Sequence, residues 1–160
     1  ENYIDFPPQK AFKLPCRFLI QRENFTFAAV EEQAGVVNKN YAITPLSTDF
    51  NNDGYPDLIY SNLDGPLKVF LNNGGASDFL KVRFLKNART LGARVTVHLN
   101  NRTLTDFLYS GEGLSSDQSG TLVFGLGQNS EDIRSVEVHY LNGETVSYKA
   151  EKNSTLQILK

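Results

Sequence analysis

From Phe18 to the C-terminus no segment of ten or more residues carries the 3.6-residue apolar period of a helix. Short β-branched and aromatic runs alternate instead with clusters of Asn, Asp and Gly. A chain written this way buries its apolar side chains through strands, so the expected fold is all-β. Strands are expected over 17–21, 26–30, 42–47, 57–62, 67–72, 80–85, 93–99, 102–109, 121–125, 135–141, 145–150 and 155–159. The 15 Asn and 12 Gly residues supply the turns between them. The clearest hairpin is 136–148, in which Val136, Val138 and Tyr140 alternate with Glu137 and His139. Asn142-Gly143 there predicts a type I′ turn with two positive φ angles. The strand around His98 places Val95, Val97 and Leu99 on one face and the imidazole on the other, so both histidines are expected to face solvent.

Two composition breaks divide the chain. Residues 1–16 contain Pro7, Pro8 and Pro15 and little periodicity, as an extended arm or linker would. The run Asn72-Asn-Gly-Gly-Ala-Ser-Asp78 marks a second boundary, between a unit at 17–76 and a β domain at 77–160.

The chemistry concentrates in Asp49-Phe-Asn-Asn-Asp-Gly-Tyr-Pro-Asp57. A hard cation such as calcium takes about six to eight oxygen ligands, which a tight loop presents when alternate side chains point inward. Asp49, Asn51, Asp53 and Asp57 occupy positions 1, 3, 5 and 9 of such a loop. Tyr55 offers its carbonyl at position 7, and Gly54 allows the sharp turn. An EF-hand begins in the same way but requires a bidentate Glu at position 12 and a helix after it. Position 12 is Tyr60, inside a strand-like run, so that reading fails on both ligand and context. Magnesium demands a rigid octahedron, and the loop has no neighbouring imidazole for a catalytic zinc. Calcium is the expected cofactor, with a structural role.

These residues resemble a known repeat. Residues 47–60, followed by Leu67-Lys-Val-Phe-Leu-Asn-Asn-Gly74, are similar to the FG-GAP/VCBS repeats of integrin-α-like β-propellers, whose motif is Asp-x-Asp-x-Asp-Gly-x-x-Asp; Asn51 replaces the commoner Asp. Residues 17–35 resemble the end of a preceding blade, about 50 residues before its counterpart at Lys68. Further on, Leu91-Gly-Ala-Arg-Val-Thr-Val97, Ser110-Gly-Glu-Gly-Leu-Ser-Ser116, Val123-Phe-Gly-Leu-Gly127 and Val136-Glu-Val-His-Tyr-Leu-Asn-Gly143 resemble an ASPIC/UnbV domain. Val123 stands where that family often has His, and Tyr140-Leu141 where it often has Trp-Pro. The resemblance implies about one and a half propeller-type blades followed by a C-terminal β-sandwich or barrel-like domain. It also implies a non-enzymatic protein at an extracellular, cell-surface or periplasmic location, with the chain either the C-terminal part of a longer protein or a compact two-part unit that reuses the repeat. Its implied role is a calcium-stabilised adhesion or protein-interaction module whose partner is a protein or cell-surface ligand.

The remaining sequence narrows the alternatives. With 16 basic and 18 acidic residues intermixed, no basic field exists to hold nucleic acid. No run reaches the roughly 18 apolar residues of a membrane helix, and no signal-peptide pattern opens the chain. Cys16 is the single cysteine and reads as a small buried apolar residue, which excludes an internal disulfide and a multi-cysteine zinc site. Neither histidine has a sequence-local nucleophile or base beside it, so no enzyme is expected. The glycines at 111–113 and 125–127 lack the following helix of a phosphate loop and read as tight turns. Arg83, Arg94 and Arg102 are candidates for a polar groove, although scattered strand arginines are more often solvated. The 18 aromatic residues include Tyr55 and Tyr109, candidate sugar-stacking groups if exposed. Glycan binding by a carbohydrate-binding module is therefore the competing reading. Sequons at Asn24, Asn101 and Asn153 matter only in a eukaryotic secretory pathway.

Overall fold

A computed structural model describes residues 16–63, 65–111, 113–114 and 116–159. The arm expected over 1–16 lies outside these except for Cys16. The described residues form strands β1 (Leu19–Gln21), β2 (Phe27–Ala29), β3 (Ala42–Thr48), β4 (Asp57–Asn62), β5 (Lys68–Phe70) and β6 (Ser77–Phe84). Strands β7 (Arg94–His98), β8 (Thr103–Phe107), β9 (Thr121–Gln128), β10 (Ser135–His139), β11 (Thr145–Tyr148) and β12 (Ser154–Ile158) follow. The fold is all-β, with one short 3₁₀ turn at Glu23–Phe25. Each strand falls within or beside one of the runs marked by sequence pattern.

Two sheets enclose the main core. One has the order β11-β10-β7-β8 and the other β12-β6-β9. Their facing residues form one cluster that includes Leu80, Val82, Val95, Val97, Leu126, Val136, Val138 and Ile158, each at most 1% exposed. Period-2 alternation produces this cluster, because Leu80, Val82 and Phe84 turn inward while Phe79, Lys81 and Arg83 take the opposite face of β6. Strand β12 pairs with β6 in parallel, and β9 pairs with it antiparallel across a bulge at Asp78/Phe79. Full burial of one such Leu or Val side chain stabilises the fold by about 1.5–3 kcal/mol.

The first part of the chain is smaller and less buried. Strands β1 and β2 form a two-stranded ribbon, and β3-β4-β5 form a three-stranded antiparallel sheet. Its central strand β4 buries Ile59 and Tyr60, with Tyr60 edge-on to Phe70 at 6.0 Å. Leu19, Ile20, Phe25, Phe27 and Val69 remain exposed. Beneath this sheet the fully buried Asn38 amide donates to Asn62 Oδ1 at 2.8 Å, and its own Oδ1 accepts from Asn40 N. Cys16 is only half-buried rather than a core residue, and its Sγ lies 3.7 Å from Asn38 Nδ2.

The turn at 140–144 departs from the type I′ expectation. Gly143 has φ +88°, but Asn142 is not among the residues with positive φ. Gly143 N donates to Tyr140 O and Tyr140 N to Glu144 O, which makes the connection a type I turn closed by a glycine bulge. Asn142 spends its side chain as an acceptor for Glu144 N, a local bond that holds this longer loop. The histidines do lie on the outer face of their sheet, but half-buried. Both Nε2 atoms approach the Glu137 carboxylate between them, at 3.5 Å for His98 and 3.4 Å for His139.

Candidate functional site

The loop at 49–57 joins β3 to β4, and the pair Thr48–Asp57 closes the ladder at its base. Its side chains turn back on their own backbone. Asp49 Oδ1 accepts from Asp53 N at 3.0 Å and Oδ2 from Gly54 N at 2.9 Å. Asn51 Oδ1 accepts from Asp53 N, while its amide donates to Asp53 Oδ2 at 2.7 Å. Asp53 Oδ1 accepts from Tyr55 N. Asp57, 2% exposed, takes Phe50 N on one oxygen and Asn72 N on the other, both at 2.7 Å. Asp57 thereby ties Phe50 at the loop's start to Asn72, two residues past β5. Gly54 has φ +94°, and a Cβ there would stand 2.1 Å from the Phe79 ring, so both backbone shape and close approach require glycine.

The donor set is chemically suited to calcium: three carboxylates and an amide oxygen, all hard ligands, on a turn with a glycine where the chain must fold sharply. In this arrangement, however, Asp49 and Asp57 address different partners. Among the described residues no three His, Cys, Asp or Glu side chains form a metal-holding group. The positive charge that meets Asp49 comes from the protein itself. Lys81 Nζ donates to Asp49 Oδ2 at 2.7 Å, and both side chains are nearly buried, at 7% and 4% exposed. Burial pushes the Asp49 carboxyl up, but the Lys81 ammonium and the Gly54 N–H outweigh it and hold the group below the ordinary 3.8. Lys81 escaped the sequence reading because it sits between core residues on a strand, where alternation alone reads it as solvated.

Loop and sheet are joined at several further points. Tyr55 Oη lies 2.6 Å from Gly75 O and 2.9 Å from Ser77 O, within reach of either carbonyl for its one proton, and its ring rests against Gly74 and Gly75. This engagement removes Tyr55 as an open sugar-stacking platform. The Gln118 side chain clips the free edge of β3, accepting from Ser47 N and donating to Pro45 O. Thr44 and Ser116 share a hydroxyl–hydroxyl bond of 2.9 Å.

Of the three candidate groove arginines, Arg102 donates to Leu126 O and Arg94 stands on the exposed face of β7. Arg83 reaches a cavity of about 420 Å³ bordered by the loop, the outer face of β6 and β9, and the end of β8. Phe107 and Tyr109 stand at that end with ring centroids 5.7 Å apart and 27° between planes.

The fold and these contacts can be set beside known proteins. No curated protein matches the chain. A family model described as ASPIC and UnbV matches residues 85–160, which carry β7 to β12. The match starts just after β6, although β6 is the central strand of its sheet and contributes Leu80, Val82 and Phe84 to the same core. The C-terminal part of the chain, residues 85–160, is thus similar to the ASPIC and UnbV family.

Proposed function

We propose that this chain is a calcium-stabilised extracytoplasmic module for adhesion or protein interaction, with Asp49, Asn51, Asp53, Asp57 and the Tyr55 carbonyl as the calcium ligands. The observation that carries the reading is the loop at 49–57: hard oxygen donors at alternate positions, a required glycine at 54, and a seat on the neighbouring sheet. When bound, the ion would draw Asp49, Asp53 and Asp57 onto one centre, adding its charge to that of Lys81, and would fix the β3–β4 connection. Its part is structural, and no catalytic group is assigned. Exposed Leu19, Ile20, Phe25 and Phe27 on the β1–β2 ribbon add an apolar surface of the kind protein contacts cover. Extracellular calcium modules bind at about 10⁻⁴–10⁻³ M, a range suited to calcium outside the cytosol. The similarity of residues 85–160 to the ASPIC and UnbV family agrees with a surface-type protein.

The test is thermal unfolding with millimolar calcium, with chelator, and in Asp53→Ala. At a free concentration of about tenfold Kd the ion adds about 1.4 kcal/mol, worth about 3–6 °C in a domain of this size. Asp53→Ala should abolish that increment. A melting temperature that ignores calcium in the wild-type protein would refute the assignment. A carbohydrate-binding reading is favoured by one separate observation, the half-exposed Phe107–Tyr109 pair beside a polar cavity.

A further inference from the structure

The cavity at the junction of the loop and the β12-β6-β9 sheet contains three recognition groups that the other described residues leave wholly or partly unengaged. Its volume of about 420 Å³ falls within the range of small-ligand sites, roughly 300–1,000 Å³. The first group is aromatic. Leu108, 1% exposed, points into the core, so alternation turns its neighbours Phe107 and Tyr109 outward, where they remain 39% and 50% exposed. Scattered exposed aromatics are ordinary, but two rings stacked together at the wall of a polar cavity are a preformed apolar platform.

The second group is a cation. Lys81 and Arg83 share the outer face of β6, and both line the cavity. Asp49 neutralises Lys81, whereas among the described residues no carboxylate pairs with the Arg83 guanidinium. An unpaired guanidinium offers the planar, two-pronged donor that fits a carboxylate. The third group is an acceptor. Asp106 uses one oxygen for Phe107 N, and its other oxygen has no partner among the described residues. Gln118, also in the wall, is committed to β3 through both of its amide atoms.

We propose that this groove binds an acidic saccharide, with the sugar carboxylate on Arg83, a ring face on Phe107 and Tyr109, and ring hydroxyls donating to Asp106. A uronic acid carries all three features on one ring: a carboxylate, an apolar C–H face and hydroxyl donors. Phosphate-rich ligands fit less well, because one guanidinium must serve them beside the Asp106 carboxylate. The proposal rests on the carbohydrate reading. None of its three groups is a proposed calcium ligand, but Asp49, which lines the same cavity and neutralises Lys81 there, is one, so calcium is varied in the test.

The experiment is a titration of the ¹⁵N-labelled protein, followed by amide chemical shifts, with three probes: tri-galacturonate, the corresponding neutral galactose trisaccharide, and a short poly-glutamate peptide. Each is run with and without calcium, because uronates bind calcium themselves. Tri-galacturonate should shift amides at Arg83, Asp106 to Tyr109 and Thr121 in at least one condition and saturate. Arg83→Gln should weaken it about tenfold, the loss of one charge-assisted bond, and leave the neutral sugar unaffected. Tyr109→Ala should weaken both sugars. Arg134→Gln, outside the groove, should change neither. Unmoved shifts elsewhere in each spectrum verify that the variants fold. No groove shift at about 10 mM in either condition, an unchanged affinity in Arg83→Gln, or tighter binding of the peptide than of the uronate would each overturn the proposal. Calcium-dependent melting is read separately, so failure of the sugar site leaves the loop assignment standing, and the reverse holds.

Discussion

Replacing Lys81 by Met removes the ammonium that meets Asp49 while keeping the length of the side chain. The pair is nearly buried on both sides, at 7% and 4% exposed. Breaking such a pair from one side typically costs about 3–5 kcal/mol, because an uncompensated charge remains inside. Asp49 still accepts from Asp53 N and Gly54 N, which places the cost at the lower end, about 3 kcal/mol. In a domain of this size that is about 6–12 °C of melting temperature. The sign of the pH dependence follows from the carboxyl. In the wild-type protein it is held below the ordinary 3.8, so its contribution is complete above that value and disappears as pH falls through the lower folded one. In Lys81→Met burial acts without the ammonium, the carboxyl shifts upward, and mild acid relieves the strain by protonating it. The stability gap between variant and wild type should therefore narrow between pH 7 and pH 4. Calcium should recover more stability in the variant than in the wild type if the ion uses the same carboxylate. Chemical denaturation at both pH values measures the gap. A variant within 1 kcal/mol of wild type at pH 7, or a gap that widens in acid, would refute the reasoning.

Two other substitutions probe neighbouring features. Gly54→Ala should cost about 2–3 kcal/mol in urea unfolding, because it imposes a Cβ at φ +94° and drives it into Phe79. Adding Phe79→Ala should relieve the steric part and not the backbone part, so an additive double variant would contradict the contact. Asp78 is held down to about 2 by hydrogen bonds from the Asn153 and Ser130 side chains, with burial opposing them. Its contribution is complete above the ordinary 3.8 and lost as pH falls towards 2, so Asp78→Ala should flatten the acid limb of a stability–pH curve between those values.

Strands were legible because their signal is local. Val136-Glu-Val-His-Tyr writes its buried and outer faces in five residues, and Asn or Gly clusters punctuate each run. Element ends were less legible where distant contacts set them. Strand β6 starts at Ser77 rather than Leu80 because Ser77 and Asp78 pair with Gln128 and Gly127, and Asp78 is anchored by Ser130 and Asn153. The turn after β10 resisted for a related reason, since Tyr140 N and Gly143 N choose partners that lengthen the loop. The oxygen spacing of 49–57 and the need for Gly54 could be read directly from the sequence. The partners of those oxygens could not, because Lys81 lies 32 residues from Asp49 and is buried only once the loop docks on β6. Tyr55 and Tyr109 carry the same local signal of an aromatic beside a turn, yet docking engages one hydroxyl and leaves the other ring in a cavity wall.

The cross-links between loop and sheet determine how the two parts should open. Asp53 N and Gly54 N are donors to Asp49, and Asp49 is held by Lys81 on β6, so lifting the loop from the sheet opens both amides to exchange. The Gln118 side chain's bonds to β3 and the Gly54–Phe79 contact oppose the same movement. Lifting the loop separates the Asp49–Lys81 pair and uncovers the Phe79 ring that Gly54 packs against, so opening is opposed by both contacts. Hydrogen exchange without calcium should therefore show Asp53 and Gly54 amides protected well above an ordinary loop, though below Val95 and Val97 in the main core. Lys81→Met should make the two loop amides fast while the core amides keep most of their protection. Fast exchange of Asp53 and Gly54 in the wild-type protein would mean that the loop reaches its position only with help from a bound ion, and the cross-link through Lys81 would lose its assigned role.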